Sequence, residues 1–150
     1  MTSTDRIEKE IVLRASRGRV WRALTDTAEF NAWFNVKLEG AFAIGKSVRG
    51  PLMIKGYTHV TMEVIVEAME AERRFAYRWH PYAVDPKGDY SGEPMTLVEF
   101  RLDDVPGGTK LSVVESGFDQ LPAHRRDEAF RMNDAGWKAQ LENVRKYVEV

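Results

Sequence analysis

Between Arg6 and Ala15 apolar and polar positions alternate, with Ile7, Ile11 and Leu13 on one side and Glu8, Glu10 and Arg14 on the other. That period belongs to a half-buried strand. Ser16 stands where it can cap a short helix whose Val20, Trp21 and Leu24 are spaced three and four apart. Asp26, with Glu29 three residues later, predicts the cap of a second short helix running to Phe34. After Val36 the pattern changes to short strands separated by Gly40, Gly45, Gly50-Pro51 and Gly56. Tyr57 to Met69 then forms one long alternating run, with Val60, Met62, Val64 and Val66 on one face and His59 on the polar face. Alternation continues through Phe75, Tyr77 and Trp79, and again through Val98, Phe100 and Leu102. The chain turns at Pro106-Gly107-Gly108 and returns through Leu111 and Val113 to Ser116-Gly117. Beyond Pro122, a residue suited to the first turn of a helix, Phe130, Trp137, Leu141, Val144 and Val148 recur at helical spacing.

This order, one strand, two short helices, a run of six strands and a long final helix, predicts an α+β fold in which a curved antiparallel sheet wraps around the last helix. No repeat, low-complexity segment or linker divides the pattern, so residues 1–150 are expected to form a single domain.

Charge and composition narrow the partners. A formal net charge of -1 and a pI near 6.3 give no electrostatic footprint for nucleic acid. Apolar stretches such as Val64-Ile65-Val66 fall far short of the roughly 20 residues needed to span a bilayer, which argues against membrane insertion. The absence of cysteine excludes disulfides, thiolate metal sites and cysteine nucleophiles. With a polar N-terminus, MTSTDRIEKE, a cytoplasmic location is expected.

Residues 40–47, GAFAIGKS, satisfy the phosphate-loop pattern G-x-x-x-x-G-K-[ST]. Such a loop needs a helix after it to present backbone N–H groups to phosphate, and Gly50-Pro51 comes too soon. The glycines are therefore read as turn residues. His59, His80 and His124 have no metal-ligand spacing, and neither a metal nor a permanent cofactor is expected. DPKGDYSGE at 85–93 lacks the alternating oxygen ligands of a calcium loop. The whole stretch from Pro81 to Pro94 is long for a connection between strands, as lids over cavities are, though a plain surface loop fits it equally.

ASRGRVWRALTDTAEFNAWF at 15–34, RRFAYRW at 73–79, GGTKLSVVESGF at 107–118 and GWKAQLENVRKYVE at 136–149 resemble, in this order, the family homologous to the activator of the heat-shock chaperone ATPase, within the START-like (SRPBCC) superfamily. The resemblance covers nearly the whole chain. It implies a helix-grip fold with a deep cavity between the sheet and the C-terminal helix, used across the superfamily for lipids, hormones, polyketide cyclisation and aromatic substrates. The family's founding co-chaperone carries a separate chaperone-binding domain with no counterpart before Arg6, so a chaperone partner is open but not favoured. Oxygenase members carry cysteine and histidine ligands that a chain without cysteine cannot match.

Within such a fold, Trp33, Phe34, Phe75, Tyr77, Trp79, Phe100 and Trp137 are candidates to line the cavity, each of them also suited to ordinary core packing. Glu115 continues the alternating line of Leu111 and Val113, so it should point inward. There it could anchor a ligand, act as a general base, or neutralise an internal arginine. Asn133, Gly136 and Gln140 form one line along the final helix, beside its apolar stripe. A glycine there costs about 1 kcal/mol relative to alanine. Either it admits a bulky aromatic while Asn133 and Gln140 reach solvent, or the whole line faces the cavity and orients a ligand. The expected function is a binding protein for a small hydrophobic or aromatic molecule. The alternatives are a cofactor-independent cyclase, hydrolase or isomerase using Glu115 or Tyr77, and a co-chaperone acting through its outer surface.

Overall fold

A computed structural model of the chain describes residues 5–149. Strand β1 (Arg6–Leu13) leads into helices α1 (Arg17–Thr25) and α2 (Thr27–Phe34). Both caps act as the sequence indicates. The Ser16 hydroxyl accepts from the Arg19 amide at 3.2 Å, and the Asp26 carboxylate accepts from the Glu29 amide at 3.0 Å. Asn35 closes α2 in the left-handed conformation, φ 65°, which asparagine tolerates better than most residues.

The chain then crosses to the far side of the sheet and returns as a meander of β2 (Ser47–Pro51), β3 (Thr61–Glu70), β4 (Arg74–Trp79), β5 (Thr96–Val105) and β6 (Gly108–Ser116). The sheet has six antiparallel strands in the order β1-β6-β5-β4-β3-β2. A short 3-10 turn (Phe118–Gln120) precedes helix α3 (Ala123–Val148), which begins after Pro122 and lies across the concave face. A register shift between Val66 and Ala68 in β3 bends the sheet, as bulges do.

Two readings of the sequence need correction. The helices are followed by five strands, not six, because residues 36–60 contribute only β2 and the isolated bridges Val36–Leu52 and Glu39–Arg49. Gly50-Pro51 is not a turn but the end of β2. Proline is tolerated at that position because β2 is the last strand of the sheet. Glycine is required because residues 37–38 cross so closely that a Cβ on Gly50 would lie 1.9 Å from the Lys37 carbonyl oxygen. His59 lies in a turn before β3 rather than on the strand, and its Nε2 is 2.9 Å from the Val84 carbonyl oxygen. The phosphate-loop look-alike runs straight into β2, so no helix N-terminus follows it.

Between sheet and helices lies a continuous core. At one end α1 and α2 fill the concave face with Val20, Leu24 and Phe30. Phe30 packs edge-on against Tyr77, and Phe42 and Trp21 against Phe75. At the other end, beyond Trp79, the concave face is not filled.

Candidate functional site

The unfilled end is a cavity of about 620 Å³ bounded by β3, β4, the end of α2, the middle of α3 and two loops. Met132, Gly136 and Trp137 form the helix wall, and Trp79 and His80 at the end of β4 face it. Leu52, Ile54, Tyr57 and Val60 come from the connection between β2 and β3. Tyr82, Ala83, Val84 and Tyr90 come from the connection between β4 and β5. The wall is chiefly apolar and aromatic, with a few amides and Glu63 among the polar groups, the usual composition of a small-molecule site.

Behind this wall sits Glu115, 0% exposed. Its burial follows from the period of β6, in which Thr109, Leu111, Val113 and Glu115 all point inward. Oε2 accepts from Trp79 Nε1 at 2.7 Å and from Thr96 Oγ1 at 2.5 Å. Oε1 accepts from Asn133 Nδ2 at 2.9 Å and from Trp137 Nε1 at 2.8 Å. Burial pushes its carboxyl above the ordinary value, and the four hydrogen bonds pull it back. The indole and amide partners can only donate, so the arrangement is built for the carboxylate form. No arginine or lysine pairs with it among the described residues, which corrects the expectation of an internal arginine.

The polar line on α3 also turns inward. Gln140 is 9% exposed and donates to the Phe34 carbonyl at 3.0 Å, while its own carbonyl accepts from Asn143 at 3.0 Å. With Asn133 bound to Glu115, the expectation that both amides reach solvent fails. A Cβ added to Gly136 would meet nothing within 4 Å, so the glycine opens onto the cavity and not onto an aromatic ring.

The loop at 81–94 is fastened from α3. Arg125 Nε donates to Glu93 at 2.8 Å, and Nη1 donates to the carbonyls of Pro81 and Tyr82 at 2.8 and 3.1 Å. Its guanidinium lies 4.8 Å from the centre of the Tyr90 ring.

A model of the family described as activator of Hsp90 ATPase homolog 1-like protein matches residues 14–149. The chain belongs to the activator of Hsp90 ATPase homolog 1-like family. A search of curated proteins finds no match. Among solved structures, the protein MLL2253 from Mesorhizobium loti is similar at 22% identity and TM-score 0.76, covering 96% of each chain. The Aha1 dimer from Colwellia psychrerythraea is similar at 15% identity and TM-score 0.74, covering 97% of this chain and 96% of that one. DynU16, from the dynemicin biosynthetic locus, is similar at 21% identity and TM-score 0.74, covering 97% of this chain and 48% of that one. At these identities the likeness establishes the START-like, helix-grip architecture of this family member.

In this member of the family the sequence candidates divide between wall and core. Phe34, Trp79, Asn133, Gly136, Trp137 and Gln140 line the cavity. Trp33, Phe75, Tyr77 and Phe100 do not, and Glu115 lies behind the wall. Phe75, Tyr77 and Phe100 are core because α1 and α2, which carries Trp33, plug the end of the sheet where they sit. Phe75 stacks on Phe100 at 6.2 Å, and Trp33 donates to the Ala23 carbonyl at 2.8 Å. The Tyr77 hydroxyl is fully buried with no hydrogen-bond partner, and burial with the nearby Glu115 charge raises its pKa well above the usual value. His80, at the wall, has its pKa lowered chiefly by burial.

Arg125 was not among the sequence candidates. Its signal was present, because a cation in the first turn of a helix opposes the helix dipole, and α3 has no acid there. Such a placement points to a partner outside the helix.

Proposed function

We propose that this protein binds a small hydrophobic or aromatic molecule in the cavity between its sheet and α3. The observation that carries the reading is the empty space beside Gly136, where the helix backbone borders a cavity of about 620 Å³ instead of packed side chains. That volume suits a molecule of ordinary ligand size. Trp79 and Trp137 present fixed indoles to it, held by Glu115. The catalytic alternative gains no support from the residues named for it. The Tyr77 hydroxyl is sealed off from the cavity, and both Glu115 oxygens are already occupied by donors.

Isothermal titration of the purified protein with a neutral naphthalene-sized probe tests the reading. One saturable site is expected, weakened by about tenfold or more in Gly136→Leu, whose side chain would occupy the space. Absence of a saturable site, or equal affinity in both proteins, overturns it. Native mass spectrometry of protein purified from its own host would give the mass of a tightly held occupant.

A further inference from the structure

We propose that the cavity selects an organic cation, a hydrophobic or aromatic molecule bearing an ammonium group, over its neutral and anionic counterparts. The inference rests on the cavity-binding reading above and names the chemical class of the occupant.

The wall is rich in aromatic rings. Phe34, Tyr57, Trp79, Tyr82, Tyr90 and Trp137 all contribute to it. Each ring face carries the negative lobe of the aromatic quadrupole, which attracts an ammonium group and repels an anion. Of the lining residues, none is lysine or arginine. Arg125 already lies on the Tyr90 ring and is ion-paired with Glu93, with its Nη2 buried without a partner.

Glu115 adds an unmatched negative charge immediately behind two of these rings. It receives the N–H of both Trp79 and Trp137, and no basic side chain pairs with it among the described residues. A hydrogen bond to a carboxylate polarises the donor, shifting electron density from the N–H into the indole ring. In a desolvated setting the carboxylate's own field also reaches into the cavity with little screening.

The donors on α3 and at Trp79 reinforce the same choice. The indole N–H groups, Asn133 Nδ2 and Gln140 Nε2 all point at protein acceptors. An anionic ligand would find these donors already taken.

Charge selectivity can be read with three probes of one shape: trimethyl(2-naphthyl)ammonium, neutral 2-tert-butylnaphthalene and anionic 2-naphthalenesulfonate. In isothermal titration the ammonium probe is expected to bind about tenfold or more tightly than the neutral one, with the sulfonate weakest. A neutral probe that binds as tightly as the cation overturns the charge preference while leaving the cavity reading in place. Failure of all three to bind overturns both. Glu115→Gln is expected to reduce the ratio of cation to neutral-probe affinity several-fold, the ratio being read because the substitution also disturbs the wall that both probes share. Full retention of that ratio in the variant overturns the part assigned to the Glu115 carboxylate.

Discussion

Trp137 Nε1 lies 2.8 Å from Glu115 Oε1, so the centre of the long helix is tied to the inner face of β6 through a buried anion. Hydrophobic packing alone would let α3 slide and roll over the sheet. A four-donor carboxylate fixes its height and rotation, because the four hydrogen bonds form together in one position.

Glu115→Gln keeps the shape but replaces one acceptor oxygen with an amide that faces two donors. Leaving buried donors unpaired costs about 1–3 kcal/mol each. A loss of about 2–4 kcal/mol in urea unfolding is expected, with the m-value unchanged. A loss under about 0.5 kcal/mol, the scale of ordinary surface substitutions, would show that the network does not hold the helix.

The same carboxyl makes stability depend on pH with a defined sign. Its pKa is raised on folding from the ordinary 4.5, chiefly by burial. Between the unfolded and folded values the native state holds the extra proton, so rising pH favours unfolding. The contribution is fully present below pH 4.5 and declines as pH rises through the folded value. Glu115→Gln removes this dependence. The stability gap between the two proteins should therefore narrow as pH rises, and a gap that widens would mean the folded pKa is depressed.

Gly136→Leu should fold at least as well as the native chain. Leucine is favoured over glycine inside a helix by about 0.5–1 kcal/mol, and an added Cβ meets nothing within 4 Å. The melting temperature should hold or rise. A fall of several degrees would place packed atoms where the cavity is drawn.

Arg125→Ala should free the loop at 81–94 without melting the sheet. It removes the ion pair to Glu93 and the bonds to the carbonyls of Pro81 and Tyr82. Faster amide hydrogen exchange is expected from Tyr82 to Tyr90, with protection of β5 and β6 unchanged. Unchanged exchange in the loop would show that Arg125 does not fasten it.

Gly50→Ala should be among the most damaging small substitutions, because the new methyl group would sit 1.9 Å from the Lys37 carbonyl oxygen. Relief requires the 36–39 segment to leave β2. A cost of about 3 kcal/mol or more is expected from thermal or urea unfolding, in the range of severe overpacking.

Much of the fold was legible because its signals are local. Alternation in β1, β3 and β6, the Ser16 and Asp26 caps and the stripe on α3 each report on residues a few positions apart. Gly50-Pro51 misled because the close crossing that demands glycine involves Lys37, which no local pattern connects to it. Six of the sequence candidates line the cavity because strand and helix periods place side chains on faces. Which half of a face is filled depends on where α1 and α2 dock, so Phe75, Tyr77 and Phe100 could not be told from Trp79 by period. Glu115 was correctly read as inward, but its partners come from β4, β5 and α3, and that meeting is tertiary.

The plugging of one end of the sheet by α1 and α2, with the other end left open, also bears on how this chain can diversify. A change of volume at Phe75 or Phe100 leaves a void or forces an overlap, and both are costly. At Gly136 an added Cβ meets nothing within 4 Å and the cavity lies beside it, so enlarging this position displaces nothing that supports the fold. Trp79, Asn133, Trp137 and Gln140 serve wall and fold together, whereas drift at Gly136 can reshape the interior with little thermodynamic penalty.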